Sequence, residues 1–163
     1  MDCFDADVLI YAADPTNPTG RKVRALFDAA GDEFAGVGST LLLTEILIKP
    51  ARQGKDDEAL ALAALIGRLE LWAVDEGTAS LAVALGADYG LKAVDATHLA
   101  TAVAAGADRF ITNNRRDFTT EIVEVDITYP DELPDIVQPE QERYGLPHYR
   151  TVASSSPTPS STS

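Results

Sequence analysis

Short apolar runs alternate along this chain with longer stretches whose apolar side chains return every three or four positions. The run Phe4 to Ala12, interrupted only by Asp5 and Asp7 among its charges, reads as a buried strand. Pro15, Asn17, Pro18 and Gly20 mark a turn. Arg21 to Ala30 has helical spacing, with Val23, Leu26 and Phe27 on one face and Gly31 at its end. Phe34 to Gly38 reads as a short strand. Ser39 or Thr40 is then placed to cap a helix through Leu41-Leu42-Leu43-Thr44-Glu45-Ile46-Leu47-Ile48-Lys49, which Pro50 stops. Polar residues Gln53 to Asp57 lead to an Ala- and Leu-rich helix over Glu58 to Arg68 and a strand over Leu69 to Val74. Asp75 is placed to cap the next helix, which runs to about Tyr89 before Gly90. Val94 to Ala105 reads as another helix, ended by Gly106; Arg109 to Thr112 and Ile122 to Val125 read as the last strands.

Strands that alternate with helices predict an α/β fold with a parallel sheet covered on both faces. In such sheets ligands gather beyond the carboxyl ends of the strands. The 163 residues fit one domain. From about Gln138 the character changes, and Ser154 to Ser163 holds only Ser, Thr and Pro. The expected organisation is a folded domain over residues 1–137 and a polar, disordered tail over residues 138–163. No run of about 18 apolar residues offers a membrane span. The opening Met-Asp-Cys-Phe-Asp places acids where a signal peptide needs positive charge, and the single Cys3, expected in the core, suits a reducing compartment. These features predict a cytoplasmic protein.

Charge narrows the picture further. A net charge of −13 argues against broad, tight binding of nucleic acid through its phosphates. It leaves room for a catalyst that reaches phosphate through a bound metal, or for an acidic cleft that receives a basic partner segment. Glu45 lies in the greasiest part of the chain. Burying an unpaired carboxylate costs several kcal/mol, so it is expected to pair with a base or share a metal ion with other acids. An exposed pairing with Lys49, four residues on, would contribute only a few tenths of a kcal/mol.

Three more acids are candidates to join it. Strand alternation would put Asp5 and Asp7 on one face, about 7 Å apart, unless both cap a turn at the strand end. Asp95 opens Asp95-Ala96-Thr97-His98, where it is either a helix N-cap or a ligand, and His98 is either a ligand or a packing residue. In Thr112-Asn113-Asn114-Arg115-Arg116-Asp117-Phe118, Asn114 and Asp117 are placed to face a site and Arg115 and Arg116 to meet phosphate; the alternative is an ordinary polar turn. Acids from distant, otherwise apolar segments suggest a site for a hard divalent cation. Paired-cysteine zinc motifs, H-E-x-x-H and G-x-S-x-G are absent, and Gly36-Val37-Gly38-Ser39-Thr40 lacks the glycine spacing and lysine of a P-loop.

The strand with Asp5 and Val8-Leu9-Ile10-Tyr11, the Glu45 helix after Ser39-Thr40, Asp95-Ala-Thr-His-Leu-Ala-Thr-Ala, and Phe110-Ile-Thr-Asn-Asn-Arg-Arg-Asp-Phe come in a telling order. Together they resemble a PIN-domain ribonuclease, in particular a VapC-type toxin, over residues 3 to about 130. The resemblance implies a PIN-like three-layer α/β/α fold with a central parallel sheet of four to five strands. It implies that Asp5, Glu45, Asp95 and Asp117 form the catalytic, metal-holding acidic quartet, with Thr112 and Asn114 in support. It further implies Mg²⁺ or Mn²⁺ as cofactor, RNA as the substrate of an endonuclease, a homodimer, and an antitoxin whose C-terminal segment covers the acidic cleft. Ala6 and Asp7 depart from the hydroxyl or amide residues usual after the first Asp, and Asp7 adds a ligand or simply a charge. Two rival readings stand beside this one. Asp5-Ala6-Asp7-Val8 also resembles the opening of a haloacid-dehalogenase-type phosphatase, with Asp5 as nucleophile and Ser39 or Thr40 and Lys92 in its later motifs, although Glu45 would then have no role. The other rival is a catalytically inactive PIN-like protein-binding module.

Overall fold

Among the described residues five strands, all parallel, form one sheet: β1 (Asp2–Phe4), β2 (Gly36–Ser39), β3 (Leu69–Trp72), β4 (Arg109–Ile111) and β5 (Asp126–Thr128), in the order β3-β2-β1-β4-β5. The computed structural model describes residues 1–135. The expected boundary at residue 137 and the tail lie outside the described residues. Between the strands run six helices: α1 (Ala6–Ala13), α2 (Pro18–Ala29), α3 (Leu41–Arg52), α4 (Asp56–Ile66), α5 (Glu76–Tyr89) and α6 (Ala93–Ala104). The three-layer α/β/α expectation holds, at five strands.

Strand pleating sends neighbouring side chains to opposite faces, and two cores result. Phe4, Leu69 and Ile111 pack with Val8, Leu9, Val23, Phe27, Leu42 and Leu62 from α1 to α4. Cys3, Val37, Phe110 and Ile127 point the other way, onto Leu85, Leu99 and Ala100 of α5 and α6. The Phe4 and Phe27 rings stand 5.0 Å apart, and Phe110 and Phe118 4.9 Å. Burial and the nearby Asp5 charge push the Cys3 thiol up to about 12, which makes it an inert core residue.

The chain order produces a switch point. From β1 the chain moves outward through β2 to β3, then returns to place β4 on the other side of β1. Connections diverge on either side of the β1–β4 pair, which is where an open parallel sheet leaves a crevice at its carboxyl edge.

Several elements differ from the sequence reading. The run Phe4 to Ala12 is a strand only as far as Phe4; Asp5 then caps α1 with extended backbone, accepting the Ala6 N–H at 2.8 Å. The helix α2 begins earlier than the spacing suggested, because Asn17 caps it and Pro18 fits its first turn. Pro50 sits within the last turn of α3 instead of ending it, and the helix continues to Arg52. Ile122 and Val125 are buried, but they lie in irregular chain; the last strand follows at Asp126–Thr128 and is paired with β4. Asp75 caps α5 and Gly90, at φ 67°, ends it as expected. Gly20 permits the close approach of α2 to α1, since a Cβ there would fall 1.8 Å from the Tyr11 carbonyl oxygen.

Candidate active site

Every expected site residue emerges at or near the carboxyl edge of the sheet or from a helix flanking it. Asp5 follows β1 directly, and its N–H still pairs with the Ile111 carbonyl at 3.0 Å. Thr112 follows β4, fully buried. Its hydroxyl donates to Asp5 Oδ2 at 2.7 Å and accepts the Asn114 N–H at 3.1 Å. Asn114 Nδ2 donates to Asp117 Oδ2 at 2.9 Å, and the Asp117 N–H returns to Asn114 Oδ1 at 3.3 Å. Asp5, Thr112, Asn114 and Asp117 thus form one hydrogen-bonded chain that fixes the loop after β4 against the end of β1. Asp7, in the first turn of α1, braces the same loop by accepting the Asn113 N–H at 3.1 Å.

The electrostatics are unusual for so acidic a cluster. Asp5 is 5% exposed, and no cation bonds to it among the described residues. Burial raises its pKa above the ordinary carboxylate range; the His98 imidazole and the Thr112 hydroxyl oppose the rise, and Glu45 adds to it. Burial, with the Asp5 charge second, pushes Asp7 up to about 7. Asp95 is also raised, by burial first and then by the charges of Asp117 and Glu45. Asp117 is the exception, held low by the Arg116 guanidinium at 3.1 and 3.3 Å and by Asn114. Asp5 feels Glu45 and Asp95 feels both Glu45 and Asp117, so acids from four chain segments share one electrostatic neighbourhood.

Glu45 corrects one expectation and meets another. Its side chain is 37% exposed, so the apolar run does not bury it. Only Leu42, Ile46 and Pro50 of α3 are buried, a narrow stripe that leaves Leu43 and Ile48 on the surface. The expected partner exists and is not Lys49: His98 Nε2 lies 2.6 Å from Glu45 Oε2. Asp95 is not a helix cap, since Lys92 occupies that position and Asp95 sits in the first turn of α6. Lys92, considered in the sequence only for a phosphatase, bears on both Asp95 and Asp117. Its signal was its place three residues before Asp95. Arg115 turns away from the acids, stacking 3.9 Å over the Tyr129 ring and pairing with Asp131, whereas Arg116 stays on Asp117.

The PIN domain family matches the chain over residues 3–120. The chain belongs to the PIN domain family. No curated protein matches it. Among solved structures it is similar to a toxin–antitoxin complex from Klebsiella pneumoniae, at 22% identity and a TM-score of 0.63, covering 80% of this chain and 98% of that one. It is also similar to VapBC2 from Rickettsia felis bound to a DNA fragment from their promoter, at 16% identity and a TM-score of 0.62, covering 78% and 97%. A third similar structure is DNA-bound VapBC from Salmonella typhimurium, at 20% identity and a TM-score of 0.62, covering 79% and 97%. At these identities the likeness is one of fold. The PIN match over residues 3–120 places Asp5 and Asp7 in a different family from the phosphatases whose opening motif they resemble.

A PIN fold implies a divalent cation, and the side chains provide a test of that. The donors are all carboxylate oxygens, which suit a hard ion such as Mg²⁺ or Mn²⁺ and not a soft one. Asp5, Asp7 and Asp95 are raised first by burial, and the charges of neighbouring acids add to each rise. In the chemistry of their donors the residues fit such an ion. Among the described residues no three His, Cys, Asp or Glu side chains are gathered tightly enough to hold a metal ion.

Proposed function

We propose that this PIN-domain protein is a divalent-metal-dependent endoribonuclease, the toxin of a toxin–antitoxin pair. The observation that carries the reading is the buried, cation-free Asp5 at the β1–β4 switch point, electrostatically joined to Glu45 and held to the loop of Asp117. Asp5, Glu45, Asp95 and Asp117 would hold Mg²⁺ or Mn²⁺, which when bound supplies charge neutralisation at phosphate and an activated water. The chain's own residues account for the rest. Thr112 and the Ala6 N–H fix both Asp5 oxygens, so that carboxylate is oriented before any ligand arrives. Asn114 orients Asp117 in the same way. Arg116 is 78% exposed beside Asp117 and stands ready for a substrate phosphate; Arg115, engaged by Tyr129 and Asp131, contributes less directly.

The surface supports the proposed partners. Leu43 and Ile48 on α3 and Val83 on α5 are exposed apolar side chains on helices before Gly90, where a homodimer would form. The net charge of −13 suits a basic antitoxin segment over the acidic edge. Among the described residues no helix is long and apolar enough to cross a membrane, and a cytoplasmic location is part of the proposal.

Cleavage of single-stranded and structured RNA tests the reading. Activity is expected with Mg²⁺ or Mn²⁺ and not with EDTA, and Asp5→Asn, Glu45→Gln, Asp95→Asn and Asp117→Asn are each expected to lower it by about 100-fold or more. Variants that stay folded and lose nothing would point to a binding module instead.

A further inference from the structure

Glu45 and His98 meet across two helices that the acidic cluster needs and that pack little against each other directly. Glu45 stands on α3, between Thr44 and Ile46, with a side chain free to sample many rotamers where it is exposed. His98 stands on α6, one turn after Asp95, and its side chain is 1% exposed. Nε2 reaches Glu45 Oε2 at 2.6 Å, while Nδ1 is buried with no hydrogen-bond partner among the described residues. A carboxylate oxygen accepts, so Nε2 carries the hydrogen of this contact and donates it to Glu45 Oε2.

A histidine that only filled the core would have no reason to send its one donor to a partly exposed acid; leucine would pack there without leaving a polar nitrogen unsatisfied. A surface ion pair would not have one partner sealed from water. The arrangement makes sense if the purpose is to hold the acid. The bond engages one carboxylate oxygen, Oε2, and leaves Oε1 for a ligand. It also ties Glu45 to the helix that carries Asp95, so the two acids are set relative to each other through one side chain.

We infer that His98 is a positioning residue, holding the Glu45 carboxylate through the Nε2–H···Oε2 bond so that its other oxygen is left for the divalent cation of the proposed function. This inference rests on the proposed metal-dependent function, and it assigns His98 no contact with substrate or ion. Hydrogen bonds of this kind, from a second residue to a ligating carboxylate, commonly change metal affinity by about 10–100-fold.

The test is calorimetric titration of the full chain with Mn²⁺, alongside RNA cleavage, for the wild type and for His98→Leu, His98→Gln and His98→Asn. Glutamine carries its amide nitrogen to about the reach of Nε2, and asparagine to that of Nδ1. His98→Leu is expected to weaken Mn²⁺ binding by about 10–100-fold, His98→Asn to weaken it similarly, and His98→Gln to keep most of the affinity. In a Glu45→Gln background His98→Leu is expected to cost nothing further, because the carboxylate it orients is gone. If His98→Leu fails to fold, the glutamine and asparagine variants still separate the two outcomes. Equal Mn²⁺ binding by wild type and His98→Leu, equal binding by the glutamine and asparagine variants, or the same loss in the Glu45→Gln background would each overturn the inference and leave the nuclease reading standing. A wild type that neither binds Mn²⁺ nor cleaves RNA would overturn both.

Discussion

Strands β1 and β4 lie side by side, and their two ends treat acidic side chains in opposite ways. At the amino end Asp2 takes two hydrogen bonds from Arg109, at 2.9 and 2.8 Å, and the Met1 amine pairs with Asp108. Each of those acids faces a cation, and the pairs hold the two strands together. At the carboxyl end, three residues along β1, Asp5 receives only a backbone N–H and a hydroxyl, and burial raises its pKa. Asp7 and Asp95 beside it are raised too. The same sheet could have neutralised both ends. That Asp2 and Asp108 each face a cation while buried Asp5 bonds to none suggests that the carboxyl end serves a ligand and the amino end serves the fold.

Two substitutions should separate the ends most sharply. Asp5→Asn is expected to abolish RNA cleavage, by about 100-fold or more, while leaving stability in EDTA unchanged or higher, since it removes a buried charge. Arg109→Ala should do the reverse, lowering stability in urea denaturation by about 1–2 kcal/mol through the loss of the pair with partly buried Asp2, with cleavage retained. Equal stability losses at both ends would erase the distinction.

A smaller effect follows from pH. Unfolded aspartates titrate near 3.8, whereas Asp7 in the fold is pushed to about 7 and Asp5 and Asp95 are raised as well. Between those values the folded state binds more protons than the unfolded one. These groups therefore make the metal-free protein more stable at mildly acidic pH than at alkaline pH, and their contribution is lost as pH rises through about 7. In EDTA, unfolding free energy should be greater near pH 5 than near pH 8 by on the order of 2 kcal/mol, allowing for solvent screening at half-buried Asp7. Asp7→Asn should flatten the profile, whereas Arg109→Ala should lower it without changing its slope. A metal-free profile that rises toward pH 8 would contradict the account.

The alternation of elements and the positions of the acids were legible in the sequence, because turn residues and apolar periodicity mark each element locally. What was misread depended on partners. Ala6 to Ala13 is apolar nearly all round, and over eight residues a buried helix and a buried strand share that pattern. The N-cap role of Asp5 decides between them, whereas the sequence reading offered only a turn cap at the strand end. Ile122-Val123-Glu124-Val125 and Asp126-Ile127-Thr128 have equal claims to be a strand. The register Arg109↔Asp126 chooses the second, and register is a property of the neighbouring strand. Glu45 appeared buried because its neighbours are apolar, yet α3 buries only Leu42, Ile46 and Pro50. Its bond to His98, 53 positions along the chain, is a tertiary fact that local spacing does not encode.

The central claim is that the carboxyl end of β1 and β4 keeps its charge for a divalent cation. Thermal unfolding in EDTA and in Mg²⁺ or Mn²⁺, for the wild type and Asp5→Asn, tests it most directly. A cation that binds only the folded wild type should stabilise it by about 2.7 kcal/mol at a hundredfold excess over its dissociation constant, and Asp5→Asn should lose most of that gain. No stabilisation of the wild type by either ion, or equal stabilisation of wild type and variant, would contradict the claim.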